Sequence, residues 1–239
     1  MQKVNFKSHE LPYQINEQIK YIRANIQFCG DEKKVLLFTS TTSSEGKSSL
    51  TLELAKSMAE LGKRVLVVDA DLRRSSMKYQ IANRDVVKLG LSHYLSGMAG
   101  LDDALCVTGE PVIYMLLAGP VPPNPAELLA GKRLTALLDW GRKQFDYILV
   151  DTAPLGTVSD AALLATKCDG AVLVVESGKI PYRAAQGVVQ QLRDANCPVL
   201  GVVLSKVENA SNRNYRYTKY AYTKYAYGDS DSGDNSGKE

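Results

Sequence analysis

Three aspartates and one loop in this chain have the types and spacing that phosphate and metal chemistry requires. Gly46, Lys47 and Ser48 sit in the stretch STTSSEGKSS, directly after the apolar run 35–38 and directly before a helical pattern. At such a junction the backbone N–H groups of a helix start surround phosphate oxygens, and a lysine neutralises the outer ones. Ser48 can ligate Mg²⁺ through its hydroxyl. The phosphate-cradling set read from this loop is Ser44, Glu45, Gly46, Lys47, Ser48 and Ser49, with Thr41 where the usual pattern has its first glycine. A second apolar run, 148–150, ends in Asp151 and is followed by Thr152-Ala153-Pro154. A carboxylate at the C-terminal end of a strand beside a phosphate loop is the usual Mg²⁺-supporting group of nucleotide hydrolases and transferases. A third run, 65–68, leads into Asp69-Ala70-Asp71-Leu72-Arg73-Arg74. Taken singly, Asp69 and Asp71 have a commonplace role as caps of a strand-to-helix loop. Together the three strand-end elements point to a nucleotide site.

The elements that must hold these groups are legible in the apolar patterning. Runs at 35–38, 65–68, 113–117, 148–150, 171–175 and 199–204 are continuous rather than alternating. That is the pattern of parallel strands buried on both faces. Helical patterns fall between them at 47–61, 125–142, 160–166 and 182–194. The second of these carries a start signal, with Asn124 as cap, Pro125 at the first helical position and Glu127 three residues after the cap. The alternation predicts a doubly wound α/β fold, a mainly parallel sheet with helices on both faces, as in P-loop NTPases. Ahead of it, Ile15, Ile19, Ile22 and Ile26 form one helical stripe, with Glu17, Lys20 and Arg23 on its flank. The plain reading of that flank is a solvated helix face with a Glu–Lys pair at i,i+3. Three regions are expected: an N-terminal helix region at 1–34, a nucleotide-binding domain at 35–208 and a tail at 209–239.

Composition narrows the function classes. The 239 residues carry 29 Lys and Arg against 26 Asp and Glu, a net charge of +3, so no strong field draws the chain to nucleic acid. The four cysteines are far apart and the histidines number two, which argues against a zinc site and a disulfide framework; the cysteines read as inert buried hydrophobes. No signal peptide or membrane span is evident, so a cytoplasmic location is expected. Thirteen tyrosines outnumber four phenylalanines, and Tyr215, Tyr217, Tyr220, Tyr222, Tyr225 and Tyr227 crowd the end of the chain. The stretch 209–227 carries Arg213, Arg216, Lys219 and Lys224 and no acid, and 228–239 is acidic; both read as a disordered tail.

The D-x-D-x-R element at 69–73, the D-x-x-P element at 151–154 and GPVPPNPAELL at 119–129 together resemble the bacterial tyrosine kinases, which are similar in fold to ParA/MinD-type ATPases. The resemblance extends to the oligomerisation motif of that family, here Glu17, Lys20 and Arg23, and to the C-terminal tyrosine cluster. It implies an autokinase that uses ATP and Mg²⁺ and regulates capsular or exopolysaccharide synthesis. Lys47, Asp69, Asp71 and Asp151 are then the catalytic set. Ser48, Asp69 and Asp151 would organise the metal, and Asp71 would face the incoming tyrosine hydroxyl. The six tail tyrosines are the implied phosphorylation sites. Implied partners are a separate membrane-anchored activator acting through its cytoplasmic tail, a cognate phosphotyrosine phosphatase, and further copies of the chain in a homo-oligomer such as a ring. The kinase would sit at the inner face of the membrane through its activator. In this family Ser205 stands where an asparagine often precedes the lysine, here Lys206, near the adenine.

The chain has no H-R-D, D-F-G or Gly-rich kinase loop, which excludes a eukaryotic-type kinase. The alternative function class is a ParA/MinD-like ATPase switch whose basic, aromatic tail binds nucleic acid or an anionic membrane. An acidic terminus that competes for the basic block weighs against it.

Overall fold

The computed structural model describes residues 1–7 and 11–207. Eight strands form one sheet: β1 (Gln2–Val4), β2 (Val35–Ser40), β3 (Val65–Asp69), β4 (Cys106–Thr108), β5 (Tyr114–Leu116), β6 (Tyr147–Asp151), β7 (Gly170–Glu176) and β8 (Val199–Ser205). Their order is β1-β4-β5-β3-β6-β2-β7-β8. Every neighbouring pair is parallel except β4 with β5, so β1 and β4 run against the other six. The helices are α1 (Tyr13–Phe28), α2 (Lys47–Ala59), α3 (Leu91–Ser96), α4 (Leu101–Ala104), α5 (Pro125–Ala130), α6 (Lys132–Gln144), α7 (Asp160–Ala165) and α8 (Tyr182–Asp194).

Alternate residues of the central strands feed two cores. Leu66, Val68, Ile148 and Val150 pack with α5, α6, α7 and α8 on one face. Val65, Val67, Tyr147 and Leu149 pack with α1 and α2 on the other. Helices therefore cover both faces of a mainly parallel sheet, as the alternation predicts. Met1–Lys206 make one compact unit, and the first 34 residues share its core: β1 joins the sheet, and Ile22 and Ile26 of α1 lie in the second core. Ile19 is also buried, whereas Ile15, in the first turn of α1, is about half exposed.

Three expectations need correction. The predicted helix at 125–142 is two helices, because Gly131 adopts extended backbone between α5 and α6. Asn124 precedes α5 but makes no side-chain cap; its amide donates instead to the Glu127 carboxylate at 2.7 Å. The run at 199–204 forms β8 but is not buried on both faces. Among the described residues it has a strand neighbour on one side only, and Val202 and Leu204 are 52% and 60% exposed. Residues 1–7 and 11–207 contain no helix long and apolar enough to cross a membrane.

Candidate active site

β3, β6 and β2 lie side by side in the middle of the sheet and run parallel, so their C-terminal ends share one edge. Asp151 is level with Asp69 on one side and with Phe38 on the other. Lys47, the first residue of α2, reaches across this edge, and its Nζ lies 2.8 Å from Asp151 Oδ1. Both side chains are buried, at 7% and 1% exposure. Burial pushes the Asp151 carboxyl up, against the pull of Lys47. Asp69 accepts hydrogen bonds on Oδ2 from the Ser75 hydroxyl and, at 3.3 Å, from the Ala118 N–H. Its carboxyl is pushed up to about 7, first by burial and then by the charge of Asp151.

Asp69 Oδ1 and Asp151 Oδ2 are buried with no hydrogen-bond partner among the described residues. Two orphaned carboxylate oxygens at adjacent strand ends fit a hydrated divalent cation, which would neutralise both. Among the described residues no three His, Cys, Asp or Glu side chains converge on a metal position. Mg²⁺ suits such a set, since it keeps several waters and takes one or two carboxylates plus substrate phosphate. Ser48 stands at the start of α2 beside Lys47, and its Oγ accepts from Ser76 Oγ at 3.2 Å.

The loop between β2 and α2 is shaped by backbone. Ser44 (φ 67°) and Gly46 (φ 85°) are both left-handed, a geometry glycine adopts freely and serine does not. The N–H of Leu50 bonds the Gly46 carbonyl at 2.9 Å, so those of residues 47–49 precede the first helical bond and face out of the helix start. Glu45 was read as part of the phosphate cradle, and the structure turns its side chain elsewhere. The buried carboxylate accepts from the Thr42 N–H and, at 3.0 Å, the Thr42 hydroxyl, and through its other oxygen from the Glu176 N–H at 2.9 Å. It clamps the loop to the end of β7 and leaves only its backbone to face a ligand. Ser49 lines a separate cleft of about 170 Å³ with Phe6, Leu52 and Lys56. Thr41, in the place of the first glycine, has a buried hydroxyl without a partner among the described residues. Gly156 lies so close to Thr41 that a Cβ there would fall 2.2 Å from the Thr41 carbonyl oxygen.

Ser205 and Lys206 also reach this loop. Ser205 Oγ donates to the Glu45 carbonyl at 2.6 Å, and Lys206 Nζ donates to the Ser44 carbonyl at 2.6 Å. Asp71 has the loop-capping role as well: its Oδ1 accepts from the N–H groups of Arg74 at 2.9 Å and Arg73 at 3.3 Å. Arg73 forms a two-pronged ion pair with buried Asp160, at 2.6 and 3.0 Å, which ties the loop after β3 to the start of α7. Sequence reasoning had taken Asp160 only as a helix start. Ser75 and Glu176 were likewise unread, since neither lies in a motif.

Of the three α1 residues, Lys20 pairs with Glu17 at 2.8 Å on the helix surface. Arg23 is committed within the chain, donating through its Nη1 to the carbonyl and hydroxyl oxygens of Ser57 on α2 at 2.7 and 2.8 Å. The six tail tyrosines lie outside the described residues.

Residues 36–228 match the family model of the CobQ/CobB/MinD/ParA nucleotide binding domain. The chain is 40% identical over 194 residues to the tyrosine-protein kinase CpsD of Streptococcus agalactiae, covering 81% of this chain and 84% of that one. It is 33% identical to the tyrosine-protein kinase YwqD of Bacillus subtilis, covering 84% and 85%. In structure it is similar to the kinase domain of the Escherichia coli tyrosine kinase ETK, with a TM-score of 0.77 and 29% identity over 87% and 85% of the two chains. The Pyrococcus furiosus cell division ATPase MinD shares the fold at a TM-score of 0.63 and 24% identity. A buried lysine–aspartate pair at a phosphate loop, on this sheet and with these relatives, leads to one assignment: the chain belongs to the bacterial tyrosine kinases, on the CobQ/CobB/MinD/ParA nucleotide-binding fold.

Proposed function

We propose that the chain is an ATP-dependent protein-tyrosine autokinase that regulates capsular or exopolysaccharide synthesis and phosphorylates its own C-terminal tyrosines. The observation that carries the site assignment is the convergence of Lys47, Asp151 and Asp69 at one sheet edge beside a left-handed phosphate loop. Mg²⁺, when bound, would supply positive charge that offsets the charge developing on the phosphates during transfer. Ser48, Asp69 and Asp151 would hold that ion, the latter two through the oxygens that have no protein partner. Lys47, aimed by its ion pair with Asp151, presents its ammonium to phosphate oxygens, and the backbone N–H groups of residues 44–49 complete the cradle. Asp71 spends one oxygen on its own loop, which fixes the carboxylate, and keeps the other to orient the tyrosine hydroxyl. A phenol with a pKa near 10 arrives protonated, and a loose transition state asks for alignment more than for a strong base.

Tyr215, Tyr217, Tyr220, Tyr222, Tyr225 and Tyr227 are the proposed acceptors, modified mainly between subunits of a homo-oligomer that involves Glu17, Lys20 and Arg23. A membrane-anchored activator would bring the kinase to the inner face of the membrane and stimulate it, and a phosphotyrosine phosphatase would reset it. The test is an antiphosphotyrosine blot of purified chain incubated with Mg·ATP. A Lys47→Met chain is then mixed with an intact chain truncated after Asn214. Labelling of the Lys47→Met chain supports transfer between subunits. No phosphotyrosine on the wild-type chain, even with an activator tail added, refutes the assignment.

A further inference from the structure

We infer that Ser205 and Lys206 are positioning residues of the phosphate loop, holding its N–H groups toward the nucleotide, rather than contacts to the base. The inference rests on the proposed nucleotide site at residues 44–49. Three non-glycine residues among those described have positive φ: Ser44 (67°), Asn196 (56°) and Lys206 (51°). Asparagine tolerates that region, whereas serine and lysine are held there by their surroundings. Those two residues touch, since Lys206 Nζ donates to the Ser44 carbonyl at 2.6 Å. The same ammonium bonds Glu176 Oε2 at 3.0 Å, and Ser205 Oγ holds the next carbonyl, that of Glu45, at 2.6 Å.

In a trans peptide the C=O and the following N–H point in opposite directions. Tying the carbonyls of residues 44 and 45 to the end of β8 therefore directs the N–H groups of Glu45 and Gly46 away from β8. Left-handed backbone at residues 44 and 46 is the kind of turn in which successive N–H groups form an anion-binding concavity. The Glu45 carboxylate holds the loop from within, by its bonds to Thr42 and Glu176. The loop is thus suspended from the ends of β7 and β8, and Lys206 is the last residue of the compact unit.

The experiment uses the full chain with Mg²⁺ and measures displacement of a fluorescent ADP analogue by ADP and by tripolyphosphate, which has no base. Ser205→Ala changes no charge. It should weaken both competitors by the same factor, about three- to tenfold for one lost hydrogen bond. Ser205→Thr keeps the hydroxyl and should bind within about twofold of wild type. Lys206→Met should also weaken both competitors. If Ser205→Ala weakens ADP and leaves tripolyphosphate unchanged, Ser205 contacts the base and the inference is overturned. Unchanged binding of both competitors overturns it as well. Lys47→Met serves as the separate check on the site: if it leaves both affinities intact, the nucleotide site itself is misplaced, whatever the Ser205 variants do.

Discussion

Replacing Asp69 by Asn should make the nucleotide-free chain more stable, and more so as pH rises, while abolishing kinase activity. Asp69 is completely buried beside Asp151, and its carboxyl is pushed up to about 7 from an ordinary 3.8. A carboxyl whose folded pKa is raised binds its proton more tightly in the native state, so stability falls as pH climbs from 3.8 towards 7 and levels off above. At about 1.4 kcal/mol per pH unit, the whole effect is about 4 kcal/mol, and the part lost between pH 5.5 and 8 is about 2 kcal/mol. Asparagine does not titrate, and its carbonyl oxygen can still accept from Ser75 and Ala118. Urea unfolding of both proteins in EDTA at pH 5.5 and 8 should show the stability difference, variant minus wild type, growing by about 2 kcal/mol. Saturating Mg·ADP should flatten the wild-type dependence and leave that of the variant unchanged. A difference that is constant or shrinks with pH refutes the reading of Asp69 as a buried, charge-frustrated carboxyl.

Lys47→Met should reduce phosphotyrosine formation by at least about a hundredfold. The chain should stay folded by circular dichroism, because Asp151, already pushed up by burial, takes up a proton once its partner is gone. Arg23→Ala should cost about 1–3 kcal/mol in urea even for a monomer, since it removes two bonds to Ser57. Glu17→Ala and Lys20→Ala should each leave the urea midpoint nearly unchanged, because their ion pair lies on the helix surface, and the triple variant should be smaller by light scattering if α1 forms the oligomer contact. Asp169→Asn should cost about 2–3 kcal/mol at pH 7. Asp169 is partly buried, yet bonds from Arg142 at 2.7 and 2.8 Å and from the Val35 and Lys34 N–H groups hold its carboxyl below the usual range. That contribution is present above the ordinary carboxyl pKa and disappears as pH falls through the lowered one, so the gap to wild type should close in acid.

What the sequence disclosed follows from how locally each feature is encoded. The central strands are continuous apolar runs, and β3 and β6 end in aspartates, so both the sheet and the carboxylates at its edge could be read from residue order alone. β1 and β4 could not, because Gln2–Val4 and Cys106–Thr108 are too short to carry a period. The break at Gly131 is a single residue inside an otherwise helical pattern. β8 has the composition of a buried strand, and only the sheet order, which no local pattern encodes, leaves Val202 and Leu204 exposed. In the site, residue type located Lys47, Asp69 and Asp151. The inward turn of Glu45 and the bonds from Ser205 and Lys206 to the loop were hidden, since they join segments roughly 130 to 160 residues apart and depend on where β7 and β8 end.

The level pairing of Asp69 with Asp151 ties the precision of the site to the integrity of the whole molecule. Val65 to Val68 and Tyr147 to Val150 alternate between the two cores in step. A slip of one residue between β3 and β6 would send every side chain of the slipped strand to the wrong face and carry one carboxylate about 3.3 Å past the other. Such a slip therefore requires both cores to come apart at once, which amounts to global unfolding. Fluctuations short of that can loosen the phosphate loop, but they leave the spacing of the two carboxylates untouched. The carboxylate pair thus behaves as the fixed jaw of a vice, and adaptation to substrate is left to the loop suspended opposite it.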